Sequence, residues 1–214
     1  MDSDLVRPGP VRPRLVLASA SPARRRSLAA AGIDPEVVLS GVDESSVGAA
    51  RPETLCAVLA RLKAQAVADR LRHGPGPTDG VLVLGCDSVL AFEGEALGKP
   101  VDAAEAVARW RRMRGRDGVL HTGHALVDLS SGDTAEAVAE SRVYFAEVSD
   151  EEIDLYVATG EPLAVAGAFT IDGFGSPFVE RVDGDPGTVV GLSLPLLRRL
   201  LAELGVPITA LWRR

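Results

Sequence analysis

Apolar and polar positions along the chain alternate in two distinct rhythms. Arg14-Leu15-Val16-Leu17-Ala18 is a short apolar run with strand character, and Ser19-Ala20-Ser21-Pro22 follows it. Serine suits a helix N-cap and proline the first helical turn, so residues 23–31 are predicted helical, with Gly32 as the stop. Residues 36–40 read as a second strand, and 41–46 as a polar loop. The clearest helix is 53–72, where Leu55, Val58, Leu59, Leu62, Ala66 and Val67 share one face. Val81-Leu82-Val83-Leu84-Gly85 is continuously apolar, the mark of a buried central strand. It is expected to end at Asp87, with 89–92 resuming as strand before a turn at Glu93-Gly94-Glu95.

The second half continues the alternation. Residues 102–114 are predicted helical with Asp102 as N-cap, and 119–129 and 137–148 as two longer strands around Ser130-Ser131-Gly132-Asp133. A helix is expected over 150–158, capped by Ser149 with Glu152 in the capping-box position. Segments 178–182 and 188–190 read as short strands and 193–204 as the last helix. Strands alternating with helices, with one antiparallel pair in the middle, predict an α/β fold: a mixed central sheet flanked by helices. There is no internal repeat. The Gly/Pro-rich loop at 73–80 is too short to divide domains. The expectation is one domain over 14–214 behind a flexible arm at 1–13.

Composition narrows the class. Of 214 residues, 46% are hydrophobic and 25% charged, enough for a substantial core. The formal net charge of −7 argues against nonspecific nucleic-acid binding, while basic residues still cluster at Arg24-Arg25-Arg26 and over 109–114. Cys56 and Cys86 lack metal spacing and are expected to be free, buried thiols in a reducing compartment. His121 and His124 stand three apart in a predicted strand, so a shared metal is not expected. No apolar run is long enough to span a membrane, and no hydrophobic signal region precedes Arg14. The chain reads as cytoplasmic, with neither membrane nor nucleic acid as partner.

Three places could carry chemistry. At Ser19-Ala20-Ser21-Pro22-Ala23-Arg24-Arg25 a strand runs into a helix N-terminus, where free N–H groups, hydroxyls and guanidinium forks could cradle phosphate. An ordinary N-cap with solvated arginines fits the same residues. At Gly85-Cys86-Asp87-Ser88 a carboxylate beside a buried strand could hold a hard cation or accept a proton from water. A turn-forming Asp is the plainer alternative. In Glu93-Gly94-Glu95-Ala96-Leu97-Gly98-Lys99-Pro100, Lys99 could meet a phosphate, or simply follow a hairpin. The spacing is not that of a Walker loop, and no GxSxG elbow marks a hydrolase nucleophile. Asp43-Glu44 and Lys63 are uninformative in isolation.

In order along the chain, these motifs resemble the Maf family of nucleoside triphosphate pyrophosphatases. The likeness runs from Leu17-Ala18-Ser19-Ala20-Ser21-Pro22 through Val42-Asp43-Glu44, Arg61-Leu62-Lys63-Ala64 and Gly85-Cys86-Asp87-Ser88-Val89. It continues in the Gly94 to Pro100 motif, Tyr156-Val157-Ala158-Thr159-Gly160-Glu161-Pro162, Gly167-Ala168-Phe169-Thr170-Ile171-Asp172-Gly173 and Val190-Gly191-Leu192-Ser193-Leu194-Pro195. The resemblance implies two lobes with a cleft between them, often a homodimer, and hydrolysis of a nucleoside triphosphate to monophosphate and pyrophosphate with Mg²⁺ or Mn²⁺. It casts Asp87 as general base, Glu44, Lys63 and Lys99 as cleft-lining catalytic residues, and Ser19, Ser21 and Arg24 as the phosphate loop. Asp87 and Glu44 would hold the metal. Ala23, Ser88 and Asp172 stand where family branches differ in base preference and match neither the pyrimidine branch nor the methylguanosine branch. The base is therefore left open. Rival readings are a pyrophosphatase for deaminated purine triphosphates and a nucleotide-binding regulator of cell division with little catalysis.

Overall fold

A computed structural model describes residues 12–48 and 51–213. The expected arm at 1–13 lies almost wholly outside the described residues. The strands are β1 (Arg14–Leu17), β2 (Glu36–Val37), β3 (Val81–Phe92), β4 (Glu95–Leu97), β5 (Asp117–Asp128), β6 (Thr134–Phe145) and β7 (Val179–Gly184). The helices are α1 (Pro22–Ala30), α2 (Pro52–Arg72), α3 (Ala103–Met113), α4 (Asp150–Ala158), α5 (Pro186–Val190) and α6 (Leu194–Glu203), joined in places by short 3-10 turns. One seven-stranded mixed sheet runs in the order β2-β1-β3-β5-β6-β7, with β4 also paired to β3.

Sheet and helices follow the predicted class, with local corrections. Strand β1 is parallel to β2 and β3, whereas β3–β4, β3–β5, β5–β6 and β6–β7 are all antiparallel, against the single pair expected. One added pair comes from a two-residue hairpin: Glu93 (φ 51°) and Gly94 (φ 82°) both take positive φ, the conformation that matches strand twist in such turns. Strand β3 does not end at Asp87. It runs unbroken because β5 pairs with every residue from Leu82 to Ala91. Strand β2 is shorter than expected. Residues 188–190 are helical rather than extended: the Asp185 side chain accepts from Gly187 N, Pro186 opens the first turn, and Gly191 (φ 110°) closes α5. These caps outweigh the β-preference of Thr188, Val189 and Val190. The predicted cap of α3 by Asp102 and the Ser149/Glu152 capping box of α4 are present.

The core divides along the sheet. On one face Leu15, Leu17, Leu82, Leu84, Cys86 and Leu126 meet Leu28 of α1 and the leucines of α6. On the other, Val16, Val81, Val83, Ala125 and Val127 meet Ala60, Ala64, Val67 and Ala68 of α2. The far half is aromatic: Phe92, Trp110, Phe145, Tyr156 and Phe169 gather around α3 and α4. Both cysteines are free and buried, and burial pushes their thiols up, to about 12 for Cys56 and about 11 for Cys86. No helix among the described residues is long and apolar enough to cross a membrane.

Candidate active site

The site begins with a gap in the sheet. Strand β1 leaves β3 at the Leu17–Leu84 pair and the chain turns into α1, while β4 joins the same edge only at Leu90. Between them, residues 85–89 of β3 have no strand neighbour on that side among the described residues. Diverging strands leave such crevices, and ligands commonly occupy them. Asp87 stands in the middle of the gap.

Glycines bring a lysine to it. A Cβ on Gly85 would lie 2.2 Å from the carbonyl oxygen of Ala60, and one on Gly123 would lie 2.3 Å from that of Cys56. Helix α2 can rest on the sheet only because both positions are bare. One turn beyond Ala60, Lys63 Nζ sits 2.5 Å from Asp87 Oδ1 and 2.6 Å from Glu44 Oε1. Lys63 and Asp87 are each 7% exposed, while Glu44 rides on a solvent-facing 3-10 turn capped by Asp43. Burial raises the Asp87 carboxyl above its ordinary value and outweighs the pull of Lys63 and Arg24, with Glu44 adding to the rise. For Glu44 burial works in the same sense, yet Lys63, Lys99 and Arg24 together hold it below the ordinary value. The pair thus combines a shielded carboxylate shifted up with a wetter one shifted down, two carboxylates in unlike environments.

Lys99 is exposed on the loop after β4, within electrostatic reach of Glu44. That loop is tied down at Gly98, whose carbonyl accepts from Arg109 Nη1 (2.6 Å) and Gly167 N (3.1 Å). All four residues expected to be catalytic therefore belong to one neighbourhood.

The residue after Asp87 points to the opposite face of the sheet. Ser88 Oγ lies 3.0 Å from Arg24 Nη2 and 2.9 Å from Thr122 Oγ1, and Thr122 donates its one hydroxyl proton to the carbonyl of Thr188 at 2.8 Å. Ser88 must then donate to Thr122 and accept from Arg24. The Arg24 guanidinium is buried and also donates to Gly191 O, Ser19 Oγ and Cys86 O. The resemblance casts Arg24 in the phosphate loop and Ser88 at a position tied to base preference. The structure turns the hydrogen bonds of both inward, so that Arg24 ties the serine loop to β3 and to the end of α5.

The serine loop borders the surface, with Ser19 buried and Ser21 half-buried. Ser19 Oγ accepts from Ser21 N, Ser21 Oγ accepts from Arg24 N as the cap of α1, and Ala23 is half-buried in the first turn. Ser19, Ala20, Ser21, Pro22, Arg25, Arg26, Ala29 and Val37 surround a recess of about 360 Å³. Asp172 reaches this rim from a distant loop, with Oδ2 3.3 Å from Arg26 Nη2. His121 and His124 do not converge on a metal: His124 Nε2 accepts from Ser193 N, whereas His121 approaches Glu140.

Sequence reasoning overlooked Arg109 and Glu161. Arg109 stands among exposed-looking arginines on α3, and nothing local marks it as buried. Glu161 lies in Gly160-Glu161-Pro162, where an acidic residue beside proline reads as a turn.

Fold and site together define an α/β protein with a carboxylate–lysine cluster beside a basic, hydroxyl-lined helix N-terminus, the chemistry of a pocket for a phosphate-bearing anion. Residues 14–204 match the family described as Maf-like protein, and the chain belongs to that family. It is 69% identical over 201 residues to a nucleoside triphosphate pyrophosphatase of Salinispora tropica, covering 94% of this chain and 88% of the relative. A nucleoside triphosphate pyrophosphatase of Streptomyces avermitilis is 57% identical, with 94% and 95% covered. One from Nostoc punctiforme is 52% identical, with 94% and 98% covered.

Proposed function

We propose that this chain hydrolyses nucleoside triphosphates to monophosphate and pyrophosphate, with the Asp87–Lys63–Glu44 cluster as its reaction centre. The observation that carries the reading is the convergence of two carboxylates on one ammonium at the sheet gap, beside the serine loop. The names of the relatives agree with it. The triphosphate would lie between the recess at Ser19–Ser21 and the cluster, with Arg25, Arg26 and Lys99 offsetting its charge. Asp87, the shielded carboxylate whose pKa burial raises, would accept the proton of the attacking water as the bond between the α- and β-phosphates breaks. Arg24 would act through its buried charge and by holding the loop in place, rather than as a phosphate ligand.

A divalent cation fits this donor set. Mg²⁺ is commonly held by one or two carboxylates together with substrate phosphates and waters, and Asp87 and Glu44 already enclose a positive charge, the Lys63 ammonium. When bound, Mg²⁺ or Mn²⁺ would neutralise the polyphosphate and lower the pKa of water. Lys63 would then keep the two carboxylates from repelling each other while the metal enters and leaves. Asp172, which pairs with Arg26 at the rim of the recess, would select the base by hydrogen bonding, and Ala23, in the first turn of α1, would leave room for it. A homodimer acting on the cytoplasmic nucleotide pool completes the reading.

Product analysis tests it. Incubation with canonical and modified triphosphates and Mg²⁺ or Mn²⁺ should release monophosphate and pyrophosphate. Diphosphate plus phosphate, or binding without turnover, would overturn the proposal.

A further inference from the structure

One carboxylate outside the reaction centre, Glu161, accepts four hydrogen bonds. Glu161 Oε1 accepts from Tyr156 Oη (3.1 Å), Thr170 Oγ1 (2.5 Å) and Gly175 N (3.0 Å), and Oε2 accepts from Phe174 N (3.0 Å). Tyr156 Oη in turn accepts from Thr170 N (3.2 Å), which fixes the direction of its own donation. These bonds hold the carboxyl below its ordinary value against the effect of burial. The loop over 170–175 is moulded on this group. A Cβ on Gly173 would come within 2.1 Å of Glu161 Oε2, and one on Gly175 within 2.4 Å of Tyr156 Oη.

That loop carries Asp172 to Arg26, on the rim of the recess that includes Ser19 and Ser21. Arg26 is 65% exposed and Asp172 38%, and an exposed ion pair contributes too little to hold a loop in place. The loop must be placed from behind, and Glu161 is the group behind it.

We propose that Glu161 is a positioning residue for substrate recognition: it holds the 170–175 loop so that Asp172, paired with Arg26, forms one wall of the recess. The inference rests on the reading that the recess takes the triphosphate and that Asp172 meets it. Glu161 touches neither the reaction centre nor the recess. Its loss should therefore weaken binding and blur selectivity while leaving the chemical step intact.

The experiment compares Glu161→Ala, Glu161→Gln and Asp172→Ala over the four canonical ribonucleoside triphosphates with Mn²⁺, reading kcat and KM separately, with a thermal melt for each variant. Glu161→Ala should raise KM about tenfold, shrink the spread of kcat/KM among bases, and keep kcat within about threefold. Glu161→Gln should be intermediate, because its carbonyl can replace Oε1 while its amide nitrogen meets Phe174 N. It decides the matter if the alanine variant does not fold. An unchanged KM and base preference in a folded Glu161→Gln, or a kcat that falls with KM unchanged, would overturn the positioning role. Asp172→Ala reports on the underlying reading: unaltered base preference there removes Asp172 as a base contact, whatever the Glu161 variants do.

Discussion

The two halves of the sheet are built from different materials. Around β1, α2, the first residues of β3 and the facing part of β5, the core is aliphatic and small: Val, Leu, Ala and two bare glycines. Around α3 and α4 it is aromatic, with Trp110 edge-on to Phe145, Tyr156 and Phe178. The difference follows from what each half must place. The first must bring a helix backbone close enough to a strand for Lys63 to span the gap to Asp87, and only small residues allow that approach. The second must hold the short segment at 98–100 and the long one at 160–175, and large rings with a polar handle do this well. Trp110 Nε1, for example, donates to the carbonyl of Ala168 at 2.7 Å.

The largest effect should come from Asp87→Asn, which keeps shape and removes the proton acceptor. Turnover should fall by about 10²–10⁴-fold with little change in melting temperature. Pyrophosphate release near the wild-type rate would remove Asp87 from the chemistry and leave it as a buried ion-pair partner only.

The next pair of variants breaks the two halves in opposite ways. Trp110→Ala, which empties the aromatic half, should cost about 3–5 kcal/mol in denaturant unfolding. The surviving folded fraction should show a raised KM, because the aromatic half holds the loops of Lys99 and Asp172, with a smaller loss of kcat than a change beside Lys63 and Asp87 causes. Gly85→Ala adds one methyl against the Ala60 carbonyl, and overpacking of this kind typically costs about 1–3 kcal/mol. It should also lower kcat, since α2 must lift away and carry Lys63 with it. Equal losses of kcat in the two variants would show that the halves are not separable in this sense.

His124 offers an effect with a definite pH signature. It is 1% exposed, and because Nε2 accepts from Ser193 N, its proton resides on Nδ1, 3.0 Å from Thr122 O. Burial lowers it from 6.5 to about 4. The folded state then binds fewer protons than the unfolded chain between those values. The stabilising contribution of the neutral ring is complete above 6.5 and is lost as pH falls toward 4, a swing of about 3 kcal/mol. Glutamine can donate and accept without titrating, so His124→Gln should flatten unfolding free energy against pH across that window. An unchanged slope would assign the acid sensitivity to other groups.

How far the sequence could be read tracks which forces are local. Helix caps at Asp102 and Ser149, the apolar run of β3 and the serine-to-helix turn were legible because each is set within a few residues. The continuity of β3 past Asp87 was not, since pairing with β5 decides it, and the Gly-Cys-Asp-Ser sequence alone looks like an ending. Residues 188–190 misled because β-branched composition spoke louder than one Asp-Pro start and one Gly stop. Within the site, motif order pointed to Asp87, Glu44, Lys63 and Lys99, and the fold brings them into one neighbourhood. The inward turn of Arg24 and Ser88 could not be read, because it depends on carbonyls 62 and 167 residues away in sequence.

Ser88 gives the finest test of that inward turn. Asp87 and Ser88 are neighbours in sequence but project to opposite faces of β3, one toward Lys63 and the other toward Arg24. Removing the Ser88 hydroxyl leaves an N–H of Arg24 without its acceptor and Thr122 without its donor, although Thr122 still reaches Thr188 O. Ser88→Ala should therefore cost about 1–2 kcal/mol of stability. Its effect on kcat should be smaller than that of any change at the Asp87–Lys63–Glu44 cluster, and it should affect all bases alike, since the disturbance reaches the substrate only through the common phosphate loop. A Ser88→Ala protein that melts like wild type yet changes its order of preference among bases would place the hydroxyl at the nucleotide instead. The two faces of β3 would then form one binding surface rather than a catalytic side and a bracing side.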